Sequence, residues 1–231
     1  MKRGHKQDHQ QGQFIRHFIF GAEDGLISTL GFLSGIAGAN LSRAVIGIAG
    51  IAEVFAASLS MAIGTYLSSK SQTELVKRNI EIEKSQIEKS PKQEKKELIA
   101  LYKKKGFKGK ELEKIVSKIM SNKKVVLNEM LTSELGILPG RFENPVKSAV
   151  VMFFTFILLA MIPLFPYLLF QVSLAVKVSI TLTVLSLFLV GAIKTKVTNR
   201  NWFSSGFEML IFGIIAAIVT FYIGEFIATL Y

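Results

Sequence analysis

A chain of 231 residues that is half hydrophobic, with a mean hydropathy of +0.40 and a net charge of +11, must keep its apolar and basic residues in separate blocks. The lack of Cys excludes a disulfide framework and a thiolate metal site, and lysines interleaved with acids, with few aromatics beside them, argue against a nucleic-acid partner. All three His fall in the first 17 residues, and neither a nucleophile–His–acid set nor a phosphate loop is present, so the chain is not expected to be an enzyme.

Residues 1–15 read as a tail: Lys2, Arg3, His5 and Lys6 precede polar residues up to Gln13, with no apolar run leading to a cleavage site, so no cleaved signal peptide is expected. His5 and His9, near Asp8, belong to this tail rather than to a metal site. Five stretches follow that are long enough to cross roughly 30 Å of hydrocarbon as helices: 16–39, 43–67, 147–169, 172–194 and 206–230. The expectation is an all-α membrane protein with two spans in 16–67, an inserted helical domain in 68–146 and three spans in 147–231. Five spans put the termini on opposite sides. Lys2, Arg3, Lys6, Arg16, the basic insert, Lys194, Lys196 and Arg200 share one side only if the N-terminus and residues 68–146 are cytoplasmic and Tyr231 is outside.

The first two spans are rich in small residues: Gly21, Gly25, Gly31, Gly35 and Gly38, then Gly47, Gly50, Ala56, Ser60 and Gly64. Such spacing lets helix backbones approach closely, either within the chain or across a homodimer seam. These spans also carry Glu23, Asp24 and Glu53, and ionisable groups inside a membrane usually mark an ion path. Glu53, Ala57 and Met61 lie four apart and share a helix face. With Asp24 opposite, that stripe offers oxygen and sulfur ligands: carboxylate suits Mn²⁺ and Fe²⁺, while a thioether disfavours Mg²⁺ and Ca²⁺. The alternative for Met61 is apolar packing. The last three spans read as a Leu, Ile, Phe and Val jacket facing lipid; Glu208 and Glu225 fall near the ends of the fifth, where acids are cheaply hydrated.

Residues 68–147 hold 19 Lys and Arg against 11 acids, a local net of +8 that suits a solvated domain under an anionic leaflet. With no Pro or Gly between Gly64 and Pro91, the second span is expected to continue as one long helix to Pro91. A second helix is expected over 92–105 up to the Gly106–Gly109 turn, and a third over 110–136 with a break near Asn122, before Pro139, Gly140 and Pro145 return the chain to the membrane. Glu83 with Gln86, Glu94 with Glu97, and Met130 with Glu134 each share a helical face. Acids at that spacing among lysines are either a solvated, ion-paired surface or three faces of one cluster.

The run Asp24-Gly25-Leu26-Ile27-Ser28 with Gly35 and Gly38, then Ile51-Ala52-Glu53, and Ser58, Ser60-Met61-Ala62, Gly64 and Tyr66-Leu67 leading into a charged helix, resembles the vacuolar iron transporter family. The resemblance covers nearly the whole chain and is strongest over 20–67. It implies a homodimer with five spans per protomer, a path along the dimer axis, proton-coupled export of Fe²⁺ from the cytoplasm, and a cytoplasmic three-helix metal-binding domain after the second span. By it, Asp24, Glu53 and Met61 match the path, and Glu83, Glu94, Glu97, Met130 and Glu134 match the cytoplasmic metal ligands. Gln86 stands where the family typically has another Glu, which removes a charge from each protomer's cluster.

The expected function is therefore proton-coupled export of Fe²⁺, with Mn²⁺, Co²⁺ and Zn²⁺ as further cargo and no resident cofactor. The host would be the plasma membrane of a prokaryote or the vacuolar membrane of a eukaryote. A manganese or broad divalent exporter is one alternative; a membrane-anchored metal-sensing scaffold is another, though it has little reason to place carboxylates in adjacent spans.

Overall fold

A computed structural model describes residues 4–137, 143–198 and 200–230. Among these residues the chain is all helical, with eight helices and no strand: α1 (Gly4–Gly38), α2 (Arg43–Lys89), α3 (Pro91–Lys104), α4 (Gly109–Met120), α5 (Lys123–Ser133), α6 (Pro145–Leu169), α7 (Val172–Thr198) and α8 (Trp202–Ala228). Four of them, α2, α6, α7 and α8, are long and apolar enough to cross a membrane, so the chain is a multi-pass membrane protein. The first expected span lies inside α1, a helix of 35 residues. Glu23 and Asp24 leave it less apolar than the other four.

The chain divides into two compact units, one containing Ser68–Asn144 and the other Gln7–Leu67 with Pro145–Tyr231. In the apolar unit, Leu33, Ile46, Val54, Phe156, Leu164 and Tyr167 build one core, and Ala22, Leu26, Leu187 and Met209 another. Gly25 lies so near α6 that a Cβ there would stand 2.7 Å from the Phe156 carbonyl, and a Cβ on Gly224 of α8 would collide with the Gly35 backbone of α1. The small residues of α1 are therefore spent inside the chain. The stripe on α2 divides: Gly47 and Gly50 meet Leu168 and Leu164, whereas Ala56, Ser60 and Gly64 are exposed and nothing comes within 4 Å of a Cβ at Gly64. At one end of this unit Arg43 Nη2 donates to the Leu168 carbonyl at 2.6 Å and caps the last turn of α6.

In the other unit the helix ends follow local chemistry. α2 stops at Ser90 because Pro91 disfavours a helical residue before it and suits the first position of α3. α3 ends in a Schellman turn: Gly106 adopts φ +98°, its N–H donates to Lys103, the Phe107 N–H donates to Tyr102, and the two rings pack 5.6 Å apart. The helix expected over 110–136 is divided into α4 and α5, with the break at the expected Asn122. Asn122 breaks it and caps α5, its Oδ1 accepting from the Lys124 N–H at 3.0 Å. Ile87, Leu98, Leu112, Val116, Val126 and Met130 form the core of this unit. The expected turn at Pro139-Gly140 and the terminal Tyr231 lie outside the described residues.

Candidate metal sites

Two groups of acids carry the expected ligands, one in each unit. In the apolar unit Asp24 of α1 and Glu53 of α2 are both half-buried. Thr29, one turn past Asp24 and fully buried, donates from Oγ1 to Glu53 Oε2 at 3.4 Å and ties the two helices at the acid. Asp24 is close enough for its charge to act on Glu53. Ser28 Oγ donates to the Asp24 backbone carbonyl at 2.6 Å, leaving the Asp24 carboxylate out of that bond. Met61, two turns beyond Glu53, is half-buried and packs against the core of Leu33, Val54 and Phe156. Asp24, Glu53 and Met61 thus all keep part of their surface uncovered in the single chain, and Glu23 is likewise half-buried.

In the second unit the tail of α2, the start of α3 and the end of α5 bring Glu83, Glu94, Glu97 and Glu134 within electrostatic reach of one another. Glu83 and Glu94 are only 6% and 2% exposed, yet Glu83 Oε1 and Glu94 Oε2 have no hydrogen-bond partner. Burial is the largest influence on Glu94; the charges of Glu83 and Glu97, a hydrogen bond shared with Glu83 and the charge of Glu134 add to it, and together they push its carboxyl up to about 7. Glu83 and Glu134 are raised as well, first by burial and then by their acidic neighbours. Among the described residues no lysine forms an ion pair with these three carboxyls, although this stretch is rich in lysine.

Glu129 is the contrast. Burial works to raise its pKa, but hydrogen bonds from Lys105 Nζ at 2.8 Å and from Ser133 Oγ at 2.7 Å, with the lysine's charge, outweigh burial and hold the carboxyl below its ordinary value. Lys105 also lies 4.6 Å over the Tyr102 ring. One acid on α5 is therefore a structural clamp, while Glu134, at its C-terminal end, joins the unneutralised group.

The remaining expected ligands are placed differently. Gln86 is exposed, and Met130 is wholly buried beside Leu98 and Val126. Gln93 Nε2 donates to Glu97 Oε1 at 2.7 Å. Among the described residues no three His, Asp or Glu side chains stand as a ready-made metal cage. What the arrangement supplies is a knot of like charge with unpaired oxygens, a condition that a hard or borderline divalent cation relieves. Sequence spacing alone found Glu94 with Glu97 as a same-face pair of acids, and Glu83 and Glu134 each beside a neutral neighbour, Gln86 and Met130. It missed Thr29, whose role depends on how α1 crosses α2, and Glu129, whose partner comes from the turn after α3.

The sequence model of the VIT family matches residues 15–225. The chain is 31% identical to vacuolar iron transporter 1 of Arabidopsis thaliana over 211 residues, covering 91% of this chain and 84% of that one. It is 30% identical to vacuolar iron transporter 1 of Eucalyptus grandis, covering 94% and 88% of the two chains. It is also 30% identical to the vacuolar iron transporter of Plasmodium berghei (strain Anka), covering 93% and 82%.

Proposed function

Since this chain belongs to the VIT family, a family of transporters and not of enzymes, we propose that it carries Fe²⁺ across its membrane, out of the cytoplasm and in exchange for protons. The observation that carries this reading is the pair of half-buried carboxylates, Asp24 and Glu53, on neighbouring helices of an apolar bundle. An isolated charge at such a place is costly, and a passing cation or a proton offsets it. Glu53 and Asp24 would bind the ion in turn, and Met61 would offer a thioether along the same face of α2. When the cation leaves, each carboxylate takes a proton, which couples the two fluxes.

In this reading α1 supplies the first of five spans, and residues 68–146 are a cytoplasmic domain whose Glu83, Glu94, Glu97 and Glu134 collect metal, with Gln86 as a neutral oxygen donor at the edge. Two copies complete the path. The exposed stripe Ala56, Ser60 and Gly64 and the partial exposure of Asp24, Glu53 and Met61 support a second chain at that face. Mn²⁺, Co²⁺ and Zn²⁺ are further cargo by the same ligand chemistry. The host membrane is the vacuolar one in a eukaryote and the plasma membrane in a prokaryote.

The test is Fe²⁺ flux into proteoliposomes that hold an internal pH dye. Wild type should move Fe²⁺ with a proton signal of opposite direction, and Asp24→Ala or Glu53→Ala should abolish both while gel filtration shows the same folded particle. Metal binding without flux in the wild type would instead indicate a membrane-anchored sensor.

A further inference from the structure

A pocket of about 680 Å³ lies between α7 and α8, with α1 contributing to its lining. Its walls are aliphatic and aromatic, among them Val184, Ile214 and Phe221, and no cationic or anionic side chain lines it. The polar side chains that reach it are Ser34, Thr181 and Tyr222. Thr181 Oγ1 is spent on the Lys177 carbonyl at 2.9 Å. Ser34 differs. It is 1% exposed, and its hydroxyl has no hydrogen-bond partner, whereas Ser179, Thr183 and Thr220 of the same bundle each donate to a carbonyl. A buried hydroxyl left unpaired is costly, and a ligand that brings an acceptor recovers that cost.

We propose that this pocket binds one acyl chain of a membrane phospholipid, with Ser34 Oγ donating to the ester carbonyl that heads the chain. The dimensions agree. At 1.5 Å per residue, the lining runs about 13 Å along α7 from Val176 to Leu185 and about 12 Å along α8 from Ile214 to Tyr222, close to half of a roughly 30 Å hydrocarbon core. Ser34 stands four residues before the end of α1 at Gly38, about 6 Å along the axis, which is the shallow end where an ester lies rather than the chain terminus. The absence of charge in the lining disfavours a free carboxylate or phosphate inside the pocket and suits an uncharged ester. The site is independent of Asp24, Glu53 and the acidic cluster, and so of the transport reading.

Native mass spectrometry of the full-length protein in detergent, titrated with palmitoyl-oleoyl phosphatidylcholine, tests the assignment. Wild type should retain one lipid per chain and prefer this ester lipid over its diether analogue by roughly fivefold, as one hydrogen bond predicts. Ser34→Ala should retain lipid but lose that preference. Thr181→Trp, on the outer wall, and Ala217→Phe, on the inner wall, should both lose the retained lipid; if Ala217→Phe fails to fold, the exposed Thr181 position carries the test. Retention by Thr181→Trp at the wild-type level, a loose series of annular lipids shared by all variants, or equal binding of ester and diether lipids by the wild type would overturn the proposal.

Discussion

At Glu94 every influence acts in one direction, since burial, three acidic neighbours and a hydrogen bond shared with Glu83 all favour the protonated carboxyl. A folded-state pKa raised to about 7 means that the stability contributed by that proton is present at low pH and is lost as pH rises through about 7. Metal-free protein should accordingly show faster hydrogen exchange in residues 83–98 at pH 8 than at pH 6, after correction for intrinsic rates, and saturating Zn²⁺ should erase the difference. Glu94→Gln should reduce the pH dependence, with Glu83 and Glu134 retaining part of it, and weaken Zn²⁺ binding by at least about tenfold in a calorimetric titration. Unchanged affinity would reduce the group to a buried acid pair. Met61 allows a second test, because its side chain either only packs against the α1–α2–α6 core or also touches the ion. If it touches, Met61→Ala should lower Fe²⁺ and Co²⁺ flux more than Mn²⁺ flux, whereas equal losses would assign it to packing. These residues also mark what can be read from sequence. Glu94 with Glu97 is visible as a helical pair and Glu134 pairs with Met130, but the lysine-rich stretch around Glu129 and Glu134 does not say which of the two a lysine neutralises. Only the packing of α5 near Lys105 separates the neutralised one from the other.

Helix boundaries were the most legible part of the fold because they are decided within a few residues. Pro91 and Gly106 end helices through their own backbone preferences, and Asn122 does so through a side-chain cap, strongly enough to make two helices of one apolar pattern. The small residues were legible only as an alternative, within the chain or between chains, since spacing does not name the neighbour. The structure gives those of α1 to α6 and α8. Gly25 meets the backbone around Phe156, which cannot swing aside as a side chain can, so Gly25→Leu should destabilise by about 2–3 kcal/mol or more. That loss should appear as a drop of several degrees in the melting temperature of the detergent-purified protein, while Gly12→Ala, on an exposed turn of the same helix with nothing within 4 Å of a Cβ, should cause no such drop. Equal drops would mean that the α1–α6 approach is not what Gly25 serves.

At the scale of the whole molecule, the exposed face of α2 is the least explained surface of the apolar unit. Ile51, Phe55, Leu59 and Ile63 stand uncovered beside Ala56, Ser60 and Gly64, a mixture of large ridges and small notches that suits another helix better than disordered acyl chains. Glu53, on the same helix and partly exposed, would otherwise present a carboxylate toward hydrocarbon. A second copy at this face resolves both difficulties. The chain has no Cys, so Ser60→Cys creates its sole thiol, and two such thiols can join only if their Cα atoms come within about 7 Å. Mild oxidation in native membranes should convert most of the Ser60→Cys protein to a covalent dimer. Leu189→Cys, on the equally exposed outer side of α7, should stay monomeric on the same gel. Cross-linking at Leu189 but not at Ser60 would move the seam to the other side of the bundle and take the α2 acids off any axis between two chains.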